Sequence, residues 1–159
     1  MAKISKIMVT DVPTLNKDAD VSDAAKLMAS KPHACVVVIE NKKPVGIITE
    51  SDIVRNMVSK KINPREQVSK IMSSPITSLS YDTTLEKANK IIDTKHFMSY
   101  PVIENEMLVG LVTEHSVVQA INDNITLHRN IQNAVLIIFV LFEFFVFILY
   151  ENLVKFLRF

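Results

Sequence analysis

The stretch Pro44-Val45-Gly46-Ile47-Ile48-Thr49-Glu50-Ser51-Asp52-Ile53-Val54 decides how the chain folds, because it occurs twice. The offset is 64 residues, and the second copy reads Leu108-Val109-Gly110-Leu111-Val112-Thr113-Glu114-His115-Ser116-Val117-Val118. Gly46 and Gly110 are the chain's only two glycines. A residue so scarce, placed twice at one point of a pattern, marks a backbone need such as close approach of a ligand or another strand. The same offset carries Ser5-Lys6-Ile7-Met8 onto Ser69-Lys70-Ile71-Met72, and Ile39-Glu40-Asn41 onto Ile103-Glu104-Asn105. It also carries Asp18, Ala24 and Lys31 onto Asp82, Ala88 and Lys95. About a third of the aligned positions are identical, so the chain is an internal duplication. A copy of roughly 55–60 residues buries too little surface alone, so the two are expected to share a core.

Within one copy the apolar spacing alternates between helix and strand. Val21, Ala24, Ala25, Leu27 and Met28 follow a helical period, as do Leu85, Ala88, Ile91 and Ile92. Residues 34–39 form a short valine-rich run that suits a buried strand. Asn41-Lys42-Lys43-Pro44 reads as a turn and residues 45–48 as the next strand. Ile53, Val54, Met57 and Val58 give a second helical face, and residues 12–15 a leading strand. Each copy therefore reads β-α-β-β-α. Residues 59–67 are polar, contain Pro64 and link the copies.

Composition narrows the function. Basic and acidic residues nearly cancel, 18 against 17, without a basic stripe, which argues against nucleic acid as a partner. The single cysteine, Cys35, excludes an internal disulfide and lies in an apolar run, as a buried structural thiol would. The N-terminus has no apolar stretch long enough for a secretory signal. His33, His96, His115 and His128 show no close metal spacing, and no nucleophile elbow, Walker loop or dinucleotide glycine fingerprint occurs. Neither a metal, a cofactor nor an enzymatic activity is expected.

The element order, the glycine-led strand ending in Thr-x-x-Asp and the preceding strand closing on Ile-Glu-Asn resemble the cystathionine-β-synthase (CBS) domain, which normally occurs as a tandem pair. The resemblance covers roughly residues 3–123. It implies an α/β fold of two β-α-β-β-α repeats, 3–60 and 68–123, joined by a linker at 61–67, related by a pseudo-two-fold axis and followed by a hydrophobic tail at 124–159. It further implies a non-enzymatic regulatory module. Such a module binds an adenine nucleotide (AMP, ADP or ATP) in a cleft between the repeats, signals occupancy to a partner, and forms a homodimer through the CBS pairs.

Thr49 and Asp52 stand where a strand gives way to a helix, and two readings stay open. Thr-x-x-Asp is a capping box, in which Asp52 reaches back to a backbone N–H. It also suits a carboxylate that accepts from ribose hydroxyls, with the threonine and the helix N-terminus facing phosphate. By the resemblance, Gly46, Ile47, Thr49 and Asp52 face Ile76 and Thr77 of the other repeat, while Phe97, Met98 and Tyr100 wall the base or belong to the core. Arg55, one turn beyond Asp52, reaches a phosphate or belongs to a solvated face, and Lys95 and His96 share that ambiguity. A second cleft would use Val12, Pro13, His33, Ala34, Thr113 and Ser116. There serine replaces the aspartate and offers only neutral hydrogen bonds, so this cleft and its capping box are expected to be weaker.

The tail is another kind of sequence. Seven of the eight phenylalanines lie at or after position 139, and residues 134–150 are apolar except for Glu143. At ~1.5 Å per residue the run spans roughly 25 Å, near the lower limit for crossing a bilayer. Either it is a membrane helix that attaches a cytoplasmic domain, or it packs in a soluble oligomer. A structural or membrane-assembly protein with vestigial clefts is the alternative function.

Overall fold

A computed structural model of the chain describes residues 2–30 and 35–157. It divides into two compact units, residues 1–119 and 120–159. In the first unit the order is β1 (Thr14–Asn16), α1 (Val21–Ser30), β2 (Cys35–Glu40), β3 (Lys43–Thr49), α2 (Glu50–Ser59), β4 (Leu79–Ser80), α3 (Leu85–Lys95), β5 (Ser99–Glu104), β6 (Met107–Thr113) and the start of α4 (Glu114–Leu157). Short 3-10 turns at Ile4–Lys6 and Val68–Lys70 lead the two repeats. Each repeat holds one three-stranded sheet, β1-β2-β3 and β4-β5-β6, in which the first pair is parallel and the second antiparallel.

The hairpin turn is tighter than the sequence suggests. Lys43 and Pro44 already belong to β3, which leaves Asn41 (φ 50°) and Lys42 (φ 65°) as a two-residue turn. Asn105 (φ 49°) and Glu106 (φ 65°) repeat it. Paired left-handed residues match the twist of antiparallel strands, and asparagine tolerates that conformation. Thr49 and Thr84 cap α2 and α3 with their side chains.

β2 reads as one continuous apolar run because both of its faces are covered. Val36 and Val38 point toward α1 and α2 with Val21, Ala24, Met28, Ile48 and Ile53. Cys35 and Val37 point the other way, to Leu111 of the second repeat, with Val12, Ile39, Ile47, Ile76 and Leu108 around them. Burial pushes the Cys35 thiol up, against a smaller opposing effect from a hydrogen bond to the Ser99 side chain. Ser99 is the residue that the 64-residue offset places on Cys35.

The repeats also exchange their leading segments. Ile4 N donates to Thr83 O (3.0 Å) and Leu85 N to Ala2 O (3.0 Å). In return Val68 N donates to Ala19 O (2.8 Å) and Val21 N to Glu66 O (2.9 Å). Val9 and Leu111 form one bridge between the repeats, and Ile47 and Ser73 form its counterpart. Every one of these contacts maps onto its mate by the same offset, which is the signature of a pseudo-two-fold axis. Val68 and Ile71 consequently complete the core of the first repeat, while Ile4 is fully buried against the second.

The glycines are explained by this exchange. Neither has positive φ, so no left-handed turn requires them. A Cβ on Gly46 would sit 2.4 Å from Met72 Sδ, and one on Gly110 2.7 Å from Met8 Sδ. Each glycine makes room for a methionine from the other repeat's leading segment.

The second unit consists of the remainder of α4. An 18-residue window in this helix has mean hydropathy 2.5, and none of that window is buried. Phe139, Phe142, Phe144, Phe145 and Phe147 are 57–61% exposed.

Candidate functional site

A cavity of about 540 Å³ opens in the first unit, within the size range of small-ligand sites. One side is the end of β3 and the start of α2: Ile47, Thr49, Glu50, Ser51, Asp52 and Arg55. The other is contributed by the second repeat: Ser73, Pro75, Ile76 and Thr77, then His96, Phe97, Met98 and Ser99. The exchanged segment builds the junction. Ile47 N donates to Ser73 O (3.2 Å) and Ser73 N to Ile47 O (2.9 Å), which places residues 75–77 opposite the tip of α2.

Thr49 and Asp52 form the full capping box. Asp52 N donates to Thr49 Oγ1 (3.2 Å), while Thr49 N (2.9 Å) and Thr49 Oγ1 (2.7 Å) both donate to Asp52 Oδ2. Both capping bonds to the carboxylate fall on Oδ2, so capping occupies one of the two oxygens of a residue that lines the cavity. Capping and ligand binding are therefore compatible in one residue. The box also holds the carboxylate still, which lowers the entropy lost when a ligand is gripped. The N–H groups in the first turn of α2 lack intrahelical acceptors and carry its positive dipole end.

The opposite wall is apolar and exposed. Phe97 is 50% and Met98 71% exposed, beyond the left-handed cap of α3 at His96 (φ 56°). Of the sequence candidates, Ile47, Thr49, Asp52, Arg55, Ile76, Thr77, Phe97 and Met98 line the cavity, and so does His96. Gly46 and Tyr100 do not. Gly46 lies under Met72. Tyr100 is fully buried, accepts a hydrogen bond from Phe97 N (3.1 Å) and packs its ring 6.1 Å from that of Phe97, centroid to centroid. It supports the wall from behind, because alternate residues of β5 face opposite sides of the sheet. Glu50, Ser51, Ser73, Pro75 and Ser99 also line the cavity. Glu50 and Ser51, not among the sequence candidates, stand inside the Thr-x-x-Asp motif, which is the signal that points to them. Ser73 and Pro75 depend on the segment exchange and carry no local signal.

The second cleft differs at its centre. Ser116 Oγ donates to Thr113 O (2.8 Å) and accepts from Thr113 N (3.1 Å), while Ser116 N donates to Thr113 Oγ1 (3.1 Å). The reciprocal cap keeps its geometry with serine, because a hydroxyl spans the same distance, but its bonds are neutral where those of Asp52 are charge-assisted. The hydroxyl's only proton is spent on the backbone, and no carboxylate remains. Pro13 is buried, and Val12 packs into the core between the repeats. His33 and Ala34 lie outside the described residues.

The CBS domain family model matches residues 4–59 and 68–123. The chain belongs to the CBS domain family. An uncharacterized protein of Methanopyrus kandleri is 32% identical over 114 residues, 70% of this chain, and this chain spans 57% of that relative's length. Among solved CBS structures, CBSX2 in complex with AMP has a TM-score of 0.66 at 21% identity, covering 77% of this chain and 98% of that one. A CBS domain pair in complex with 5′-methylthioadenosine and S-adenosyl-L-methionine has a TM-score of 0.70 at 17% identity, covering 78% and 98%. At these identities the likeness to the two structures is one of fold.

Proposed function

We propose that this CBS pair is a non-enzymatic regulatory module that binds an adenine nucleotide in the cavity between β3–α2 and residues 73–99. The observation that carries the reading is the pairing of a pre-positioned Asp52 carboxylate with an apolar wall across one ligand-sized cavity. Asp52 Oδ1 accepts from the ribose hydroxyls. The first turn of α2 and Arg55 face phosphate. Ile47, Ile76, Phe97 and Met98 enclose the base. The solved complexes with AMP and with adenosyl compounds support the ligand class. Occupancy reaches a partner when the ligand binds two arrangements of the repeats, or of a homodimer of CBS pairs, with unequal affinity.

Calorimetric titration with AMP, ADP, ATP and S-adenosylmethionine tests this. One dominant site per chain is expected, because Ser116 supplies no carboxylate. In Asp52→Ala the affinity should fall about tenfold to a hundredfold, from loss of charge-assisted hydrogen bonds worth roughly 1.5–3 kcal/mol. An unchanged affinity in folded Asp52→Ala would remove the ribose role, and two equal sites would remove the asymmetry.

A second reading concerns α4, and its apolar, unburied window favours it. The run at 134–150 anchors the module in a membrane, with the nucleotide-binding unit on the cytoplasmic side. Glu143 costs about 2–3 kcal/mol at the centre of such a span, which the surrounding Leu, Ile, Val and Phe residues offset. The full chain should sediment with membranes and need detergent, while a chain ending near residue 124 should stay soluble and keep its nucleotide affinity. A full chain that is monodisperse without detergent, beside a truncated one that aggregates, would make α4 a packing helix of a soluble oligomer.

A further inference from the structure

The charges around the cavity are unequal. Two carboxylates line it, Glu50 and Asp52, against one guanidinium, Arg55. Among the described residues no lysine lines it. The far wall adds no fixed cation: Ile76, Phe97 and Met98 are apolar, and Ser73, Thr77 and Ser99 carry neutral hydroxyls. His96 is the remaining titratable side chain of the described lining.

Glu50 opens α2, two residues before Asp52, and is exposed. It lies outside the capping box, whose bonds join Thr49 and Asp52. Among the described residues no ion pair offsets its charge, and none occupies Arg55. Helix capping therefore does not account for a carboxylate at this position. The donors at the tip of α2 are also few, since Asp52 N is already taken by Thr49 Oγ1 (3.2 Å). The remaining first-turn N–H groups and Arg55 can meet one phosphate. A second or third phosphate brings further negative charge to a lining whose other charges are carboxylates.

We propose that the cavity selects a nucleoside monophosphate over the di- and triphosphate, and that Glu50 turns the longer phosphate chain away by like-charge repulsion. This rests on the nucleotide reading above and narrows it to one ligand class.

The test is calorimetric titration of the full chain in detergent micelles with AMP and with ATP. The buffer is free of magnesium and at about pH 8, above the range in which an ordinary imidazole takes a proton. AMP should bind about tenfold more tightly than ATP, and Glu50→Gln should cut that preference about threefold to tenfold by tightening ATP more than AMP. Glu86→Gln removes the same charge from an exposed site on α3 that does not line the cavity, and should keep the wild-type preference. Raising the salt from about 0.05 M to about 0.5 M should narrow the preference in the wild-type chain more than in Glu50→Gln, because screening weakens what charge provides. Equal wild-type affinities, a preference unmoved by Glu50→Gln, or an equal change in Glu86→Gln would overturn the proposal and leave the nucleotide reading intact. A parallel loss of both nucleotides in Glu50→Gln, as a purely structural role predicts, would overturn it too. Binding of neither nucleotide by the wild-type chain would remove the nucleotide reading, and this proposal with it.

Discussion

Ile4→Ala is expected to destabilise the second repeat, not the repeat whose sequence it begins, by about 3 kcal/mol. Ile4 is fully buried. Its amide is tied to Thr83, and the neighbouring Ala2 carbonyl accepts from Leu85 N at the start of α3. Truncation removes three carbons' worth of transfer energy and leaves a cavity under α3. Native-state hydrogen exchange should therefore speed up across Leu85–Lys95 before it changes across Val21–Ser30. Val68→Ala should show the converse, since Val68 completes the first repeat's core beside Val21 and Ala24. Faster exchange in α1 on Ile4→Ala would contradict the exchange of leading segments.

Gly46→Val should cost about 2 kcal/mol by overpacking, although valine suits a strand better than glycine does. A Cβ there would lie 2.4 Å from Sδ, 2.9 Å from Cγ and 3.2 Å from Cβ of Met72, so the whole methionine side chain must move. Met72 immediately precedes Ser73, which is hydrogen-bonded to Ile47 beside the cavity. Nucleotide affinity should consequently fall too, through displacement of residues 73–77. Combining Gly46→Val with Met72→Ala should cost less than the sum of the two single changes, measured by chemical denaturation. Simple additivity would show that the two side chains do not compete for one space.

The regular elements were legible because their signal is local. Val21, Ala24 and Met28 repeat at a helical period, and Val36, Val37 and Val38 read as a strand covered on both faces, as they are. The duplication was legible because an unbroken offset relates Thr49 to Thr113 and Gly46 to Gly110. Asp52 was legible because a motif at a strand–helix junction has few geometries open to it. Tyr100 stays open between base wall and core in the sequence, because Phe97 to Tyr100 crosses from loop into strand and sequence alone does not say which side of β5 faces the cavity; the structure puts it in the core. The part Gly46 plays was left open because its neighbour, Met72, comes from the other repeat.

The sequence by itself determined the two β-α-β-β-α repeats, the aspartate–serine difference between their clefts and the apolar helix that follows, all written in periods and motifs a few residues long. The tertiary structure alone decided that each repeat is completed by the other's leading segment, that the glycines admit methionines, and that Ser73 and Pro75 line the cavity. Those facts rest on pairings between residues 26 to 102 positions apart, such as Ile47 with Ser73 and Val9 with Leu111. Such pairings are set by which surfaces remain to be buried once the local elements exist, and three-residue turns such as Ile4–Lys6 carry no periodicity that could announce them.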